Sequence, residues 1–495
     1  MAVPKKNKII FRADGSTLTG YGHVMRLLSL AGFLNKKYRC EFMIRRPDAF
    51  LKAQILSVCD SVVELPLTGN LAKEAQEVAS RAAPSDIFIL DGYDFTTRYQ
   101  SAVKKKCFRL ICIDDIYNRH FVADVVINHS EGIKEASYSK EKYTQLCLGS
   151  GYAILRRSFL NNLRTSKPLP AEKLRIFINM GGTDQENHSS RALKACLKLK
   201  SISSIDIVLG SFFAYTDELK SLIEKNNHIK IVLHSNLGEK EMCTLMKRSH
   251  AAICSASTVS YEYASVGGIL FVYKTAGNQK NIHSFLLRSH IAFPVNQLEE
   301  KLNLFGDPGH CRAYFENRSL YFTGQSDKNI AAIFDRFEKE REISIRTANI
   351  NDLPVYYKWV NEKEVRRNSV NQSDIDLASH KKWFEARLKN KNAVLYYFEK
   401  NGIPIGQVRF DKENDHAEID YSIDSKFRGK GYGTIILMRA ASAYMQKHPG
   451  IKIIAKVKES NAASNKVFIK TGFKALKSFT LHNAVYCKYV LPPAK

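Results

Sequence analysis

Short apolar runs that alternate with helix-forming stretches constrain this chain more than any other feature. In the first 163 residues they read KIIFRAD, RCEFMIRR, SVVELPL, DIFILDGYD, RLICIDDI and DVVINHS. Such β/α alternation builds an open parallel sheet with helices on its faces. Several runs end in polar residues: Asp14, Asp91, Asp94, Asp114, Asp115, Asn128 and His129. Ligands of such sheets bind beyond the carboxyl ends of the strands, so these side chains are expected around one cleft. A second alternating series opens with LRIFINMGGTD, continues through SIDIVLG, HIKIVLH, HAAICSAS and GGILFVYK, and fades by about Glu338. Between the two series, RTSKPLP (164–170) reads as a linker. From REISIRTANINDLPVYYKWV onward the pattern changes to mixed helices and antiparallel strands, with FEKEREISI as a polar connection. The expected organisation is therefore three parts, 1–165, 170–338 and 343–495.

Charge bears on the class of partner. The 75 Lys and Arg against 49 Asp and Glu give a net charge of +26. A basic protein attracts polyanions, but these charges are dispersed, with only short runs such as KKK at 104–106. Zinc-finger spacing, an RNA-recognition aromatic motif and a basic helix with heptads are all missing from the sequence. A Lys-rich surface serving small polyanionic substrates is expected, rather than nucleic acid. No run of 18 apolar residues is present, so no membrane span is expected. The start MAVPKKNKIIFRAD lacks the apolar region of a secretory signal. Ten cysteines occur without a CxxC pair. That usage points to reduced thiols in a cytoplasmic protein, without a disulfide frame or a zinc site.

Three stretches of the alternating parts carry candidate chemistry. After the first strand, Gly20-Tyr21-Gly22-His23 opens a helix whose apolar face recurs at Val24, Leu27, Leu28, Ala31 and Leu34. A histidine can take a proton from water near neutral pH. Gly20 and Gly22 would let the backbone approach a ligand, and Asp14 is the candidate to fix the imidazole tautomer. IFINMGGTD is a strand running into Gly181-Gly182, with Thr183 or Asp184 able to cap the following helix. Free N–H groups there would suit a diphosphate, or the glycines serve only a tight turn. In CSASTVSYEYASVGG the small residues, Ser257 among them, would admit a nucleotide. Glu262 would bind ribose hydroxyls or act as a helix-dipole partner. YKTAGNQKNIH places Asn278 and Gln279 in a polar loop after a strand.

RADGSTLTGYGHVMR, MGGTD, SASTVSYE and GNQ, taken in order, resemble the UDP-sugar hydrolases of pseudaminic-acid biosynthesis, GT-B-fold relatives of the MurG glycosyltransferases. The resemblance covers about 8–335. It implies a two-lobed Rossmann-type fold and removal of UDP from UDP-2,4-diacetamido-2,4,6-trideoxy-β-L-altropyranose. It further implies that His23 activates the attacking water and that Asn278 binds the sugar or the water; no DxD-like metal pair is evident in these motifs, so no metal is expected. The leaving UDP would be met by the helix start after Gly181-Gly182. This chain departs from the family at Gly92, where a histidine is common, and at Asn128-His129.

AEIDYSIDSKFRGKGYGTIILMRAASAYM (417–445) holds Arg428-Gly429-Lys430-Gly431-Tyr432-Gly433 between a strand and an apolar helix. KIIAKVKESNAASNKVFIKTGF supplies a further strand, Asn461 and a short helix. These segments resemble the GNAT acetyltransferases, an α+β fold, over about 343–478. The resemblance implies acetyl-CoA as cosubstrate, bound by Arg428, Gly429, Gly431, Gly433 and Asn461. Glu418 is then the candidate base for the acceptor amine, or a solvated strand residue. Many members carry a tyrosine on the helix after the asparagine to protonate the thiolate; the corresponding residue here is Phe468. PIGQVRFD and HKKWFEARL further resemble the subgroup that acetylates a UDP-4-amino sugar, whose product is the hydrolase substrate. The expected protein is bifunctional. The alternatives are a related, legionaminic-type amino sugar, a single active half, or a basic nucleic-acid-binding protein with degenerate lobes.

Overall fold

In the computed structural model, which describes residues 6–15, 20–163, 169–170, 173–482 and 484–493, the chain divides into two compact units, Met1–Ile333 and Phe334–Lys495. Among the described residues the first unit holds, beside a small parallel pair of His120–Phe121 with Ser139–Lys140, two large parallel sheets. One contains β1 (Lys8–Arg12), β2 (Arg39–Arg45), β3 (Ser61–Leu65), β4 (Ile87–Asp91), β5 (Arg109–Ile113), β6 (Val125–Asn128) and β7 (Gln145–Leu148), in the order β3-β2-β1-β4-β5-β6-β7. The other contains β8 (Leu174–Asn179), β9 (Ile202–Leu209), β10 (Lys230–Ser235), β11 (Ala251–Ser255), β12 (Ile269–Tyr273) and β13 (Phe293–Pro294), in the order β10-β9-β8-β11-β12-β13.

Both orders reverse direction once, between β1 and β4 in the first sheet and between β8 and β11 in the second. At such a reversal the connecting segments diverge to opposite faces and leave a crevice at the carboxyl ends of the strands. The motif loops stand at these two places. Gly20 to His23 follows β1, and Gly181-Gly182 and Ser257 follow β8 and β11. Ala153, Leu155, Phe159 and Leu160 pack in one core with Phe177, Tyr261 and Tyr263, so the chain has joined the second sheet's core before residue 165. The linker expected at 164–170 lies mostly outside the described residues, as does 16–19 of the first motif loop.

The second unit carries β14 (Ile343–Thr347), β15 (Ala393–Lys400), β16 (Ile403–Glu413), β17 (His416–Ile423), β18 (Lys452–Lys458) and β19 (Ala484–Leu491), side by side in that order. All neighbours are antiparallel except β17 and β18, whose parallel pairing is confined to His416–Glu418 against Lys452–Ile454. Beyond Glu418 the two strands part. The expected polar connection FEKEREISI is instead the end of a helix, Ser326–Arg341, followed closely by β14. No described helix is long and apolar enough to cross a membrane.

A buried ionic cluster fixes the ends of β1 and β2. Glu74 is 2% exposed and accepts from Arg12 Nη2 at 2.9 Å, Arg45 Nε at 2.6 Å and Tyr99 Oη at 2.9 Å. Burial opposes its charge, but Arg12 and Arg45 outweigh that and hold its pKa below the ordinary carboxylate value. Removing one member of such a cluster leaves uncompensated charge in the interior. Glu74→Ala is expected to lower the stability of the first unit by about 3–5 kcal/mol, read by urea unfolding.

Candidate functional site

His23 is the second residue of α1 (Gly22–Leu34), whose first turn has no side-chain cap and no acid. Its ring is held from the end of β4: Nδ1 lies 2.7 Å from Asp91 Oδ1. Asp91 is 0% exposed and is also gripped by Arg26, through Nε to Oδ2 at 2.7 Å and Nη2 to Oδ1 at 2.6 Å. Asp91 can only accept and Arg26 can only donate. Arg26 Nη2 also lies 3.2 Å from Nδ1, but the shorter contact, 2.7 Å to an oxygen that can only accept, assigns the Nδ1 proton to Asp91, which leaves the Nε2 lone pair for a proton from outside. Burial alone would push the Asp91 carboxyl up, but Arg26 and then His23 overcome it and hold the pKa at about 2.

This corrects the expectation for Asp14. Its carboxylate is bound by Arg12, at 2.6 and 2.7 Å, and by the Arg45 amide at 2.9 Å. It belongs to the ionic cluster and not to the imidazole. His23 and Arg26 lie one helical turn apart, so both reach the same carboxylate; Asp91, 68 residues from His23, was visible only as a polar strand end.

Further contacts draw a second-sheet residue to the histidine. Tyr93 stands edge-on to the His23 ring at 4.9 Å. The Tyr93 hydroxyl accepts from Asn278 Nδ2 at 2.7 Å and donates to Asp115 Oδ2 at 3.2 Å. Burial first, and Asp115 next, raise the Tyr93 pKa well above its ordinary value, so it remains a hydroxyl. The structure thus brings His23 and Asn278 to the same cluster and adds Asp91, Arg26, Tyr93 and Asp115. Gln279 is turned away, its amide closed onto Thr275 at 2.8 and 2.9 Å.

The glycines act between the two sheets. Gly20, at φ +68°, faces Gly182: a Cβ on Gly182 would lie 3.4 Å from Gly20 Cα. Nothing lies within 4 Å of a Cβ on Gly22. The helix after Gly181-Gly182 does not begin where the sequence placed it. α2 (His188–Cys196) starts four residues past Asp184, capped by Asn187. Asp184 accepts from the His188 and Ser189 amides, both at 2.8 Å, and Asn187 accepts from Ser190 at 3.3 Å. Those N–H groups are already satisfied, so this helix start does not serve a diphosphate, and Thr183 does not cap it. α3 (Thr258–Val266), which follows Ser257, has no side-chain cap and no acid in its first turn, and the Ser257 hydroxyl pairs with Ser255 at 2.9 Å.

Glu262 also departs from expectation. It lies beyond the first turn of α3, is 4% exposed, and both oxygens take hydrogen bonds from Arg156, Nε and Nη2, at 2.7 Å. The pair ties the segment after β7 to α3, so Glu262 is a structural anchor rather than a free ribose ligand or a dipole partner.

In the second unit, Gly429 and Gly431 have φ of +73° and +85°, and nothing lies within 4 Å of a Cβ on either. They open a cradle at the start of α4 (Tyr432–Lys447), which has no side-chain cap and no first-turn acid. Backbone N–H groups and the helix dipole there fit a pyrophosphate, which satisfies the requirement of a CoA ligand. Gly433 lies inside the helix, 3.6 Å from Tyr421 by its missing Cβ. Arg428 does not face the cradle with free charge: it donates to Glu364 at 2.9 Å, to the Ile423 carbonyl at 2.9 Å, and to Glu362. It braces the loop. Asn461 caps α5 (Ala462–Lys470) by accepting from the Ser464 amide at 3.1 Å. Glu418 pairs with Lys456 Nζ at 2.7 Å.

With this geometry in place, comparison with known proteins gives four findings. Residues 342–474 match the family model for the acetyltransferase (GNAT) domain. The N-terminal region is similar to the UDP-2,4-diacetamido-2,4,6-trideoxy-β-L-altropyranose hydrolase of Campylobacter jejuni. That match is 26% identical over 274 residues, 52% of this chain and 87% of the relative. An uncharacterized protein of Methanocaldococcus jannaschii is 25% identical over 97% of this chain and 99% of its own length. Among solved structures, spermidine N-acetyltransferase from Vibrio cholerae, in complex with CoA and spermine, is 14% identical. It covers 31% of this chain and 98% of its own, with a TM-score of 0.29.

The Asp91 grip has a pH signature. A carboxyl whose pKa falls from 3.8 unfolded to about 2 folded contributes stability that is full above pH 4 and lost as pH falls through 2. Asp91→Asn is expected to remove about 2 kcal/mol of that acid-dependent stability, measured as urea unfolding at pH steps between 5 and 2.

Proposed function

We propose that this chain is a bifunctional amino-sugar enzyme of pseudaminic-acid biosynthesis. Its second unit acetylates the 4-amino group of a UDP-sugar with acetyl-CoA. Its first unit, read as a GT-B-like pair of lobes, hydrolyses the resulting UDP-2,4-diacetamido-2,4,6-trideoxy-β-L-altropyranose to free sugar and UDP. The observation that carries the hydrolase reading is the His23–Asp91–Arg26 cluster at the crevice of the first sheet. The similarity to the Campylobacter hydrolase supports the same reading.

In the hydrolytic step, His23 Nε2 takes a proton from water as the water oxygen bonds to the anomeric carbon. The bond from that carbon to the UDP oxygen breaks, and the electron pair leaves with UDP. Asp91 stabilises the imidazolium that forms. Arg26 keeps Asp91 ionised, so the proton stays on the ring until it is released to solvent. Asn278, seated on Tyr93, presents its amide beside the same cluster to orient the sugar or the water. The uncapped start of α3, with Ser257, takes the role first expected of the helix after Gly181-Gly182, that of meeting the diphosphate charge.

In the acetyl-transfer step the open cradle of Gly429 and Gly431 at the start of α4 holds the pyrophosphate of acetyl-CoA, which supplies the acetyl group. Glu418, paired with Lys456 Nζ at 2.7 Å, is the candidate to accept the proton of the acceptor amine. All three ligands are polyanions, which matches the net charge of +26.

His23→Asn is expected to lower UDP release from the pre-acetylated sugar by about 10²–10⁴-fold while acetyl transfer stays within twofold of wild type. Chromatographic assay of UDP and of acetylated sugar in parallel checks both, and wild-type UDP release by the variant would contradict the assignment.

A further inference from the structure

We propose that Tyr421 is the proton donor to the CoA sulfur during acetyl transfer, an inference that rests on the acetyl-transfer reading above. Transfer needs a proton removed at one end and a proton delivered at the other. The acceptor nitrogen bonds to the acetyl carbon, the carbon–sulfur bond breaks, and the sulfur leaves with the electron pair. The amine loses a proton and the thiolate gains one. The Tyr421 hydroxyl supplies the second, and the phenolate is restored by the proton released from nitrogen, passed through solvent, so no further reactant is needed.

The strand that lines the cradle separates these two tasks. Side chains alternate along β17. Ala417, Ile419 and Ile423 enter the core shared with Ile435, Ile436 and Leu437 of α4, and Tyr421 packs against the same core. Glu418, Asp420 and Ser422 therefore face the other side. Tyr421 also lies past the last β17–β18 pair, Glu418 with Ile454, where the strands have parted and a chain-like ligand can enter between them. Its ring lies 3.6 Å from the missing Cβ of Gly433, two residues past Gly431 of the cradle. The carboxylates and the phenol thus occupy opposite faces of one strand at the opening, which is the arrangement a reaction losing a proton on one side and gaining one on the other requires.

Other groups on this face are less suited. Phe468 has no proton to give, and Tyr421 stands edge-on to it at 5.6 Å. Tyr489 is 3% exposed and its hydroxyl is donated to Asn465 at 2.9 Å. The Tyr421 hydroxyl donates to a second hydroxyl, Ser464 Oγ at 3.1 Å, in the first turn of α5. Ser464 can either accept or donate, so it can accept while Tyr421 waits and donate to the phenolate once the proton has gone. Burial raises the Tyr421 pKa, which keeps it protonated at neutral pH.

The test needs no acceptor sugar. A hydroxyl that donates to sulfur stabilises the thiolate, so bound CoA should carry more thiolate at a given pH. Full-length wild type and Tyr421→Phe, each saturated with CoA as shown by calorimetry, are titrated by the thiolate ultraviolet absorbance. The proposal predicts about tenfold less thiolate at a given pH in Tyr421→Phe, with CoA affinity within threefold. With acetyl-CoA and a UDP-4-amino sugar, kcat should fall about 10²-fold at unchanged acetyl-CoA KM. Equal thiolate fractions in the two proteins overturn the proposal while leaving acetyl transfer standing. Failure of wild type to bind CoA overturns the acetyl-transfer reading and this inference with it. If Tyr421→Phe itself loses CoA, Ser464→Ala decides: a reduced thiolate fraction there supports the proposal, and an unchanged one overturns it.

Discussion

The first unit depends on one buried carboxylate. Asp91 ends β4, has no contact with water, and is kept charged only because Arg26 and His23 both reach it from α1. An unpaired carboxylate in that position would be too costly to retain. The strand order around it follows: β1 and β4 must be neighbours for the helix after β1 to present its first two turns to the end of β4. The same geometry orients the imidazole, fixes its tautomer and leaves one nitrogen for chemistry. Fold and proposed catalysis therefore rest on a single set of hydrogen bonds.

Around this centre the two sheets of the first unit meet at points of small size or high polarity. Gly20 faces Gly182 where a side chain would hold the loops apart. Asn278 reaches Tyr93 and Asp115. Tyr21 meets Phe212 edge-on at 4.9 Å and hydrogen-bonds Asp48. Together these contacts set the width of the crevice and place Asn278 beside His23. The second unit is built differently: it parts two strands beyond Glu418 and opens a glycine loop at Gly429 and Gly431, so the proposed acetyl-CoA would be received largely by backbone.

How much of this was legible in the sequence follows the range of each interaction. The parallel sheets were legible because fully buried strands must be apolar throughout and end in polar residues. The cradle was legible because two positive-φ positions, 429 and 431, carry glycine. His23 and Asn278 were legible through their motifs. Partners were not. Asp14 lies nearer to His23 in the chain than Asp91, yet Arg12 beside it claims it first. Of Thr183 and Asp184, the two expected caps, Asp184 does occupy the first amides of the helix, but Asp184 and Asn187 adopt φ of 44° and 53°, which delays the helix to His188. Glu262 looked free because Arg156 is 106 residues away. Arg428 looked like a phosphate ligand because Glu362 and Glu364 lie on a distant helical turn.

The central claim is that one chain performs two consecutive reactions, acetylation and then loss of UDP. Its most direct test is mass spectrometry of the products formed by the full-length protein from isotope-labelled acetyl-CoA and UDP-4-amino-4,6-dideoxy-N-acetyl-β-L-altrosamine. The account predicts labelled free diacetamido sugar and UDP in equal amounts, and no free sugar when acetyl-CoA is withheld. Label that never leaves CoA, or UDP released at full rate from the unacetylated sugar, would contradict it.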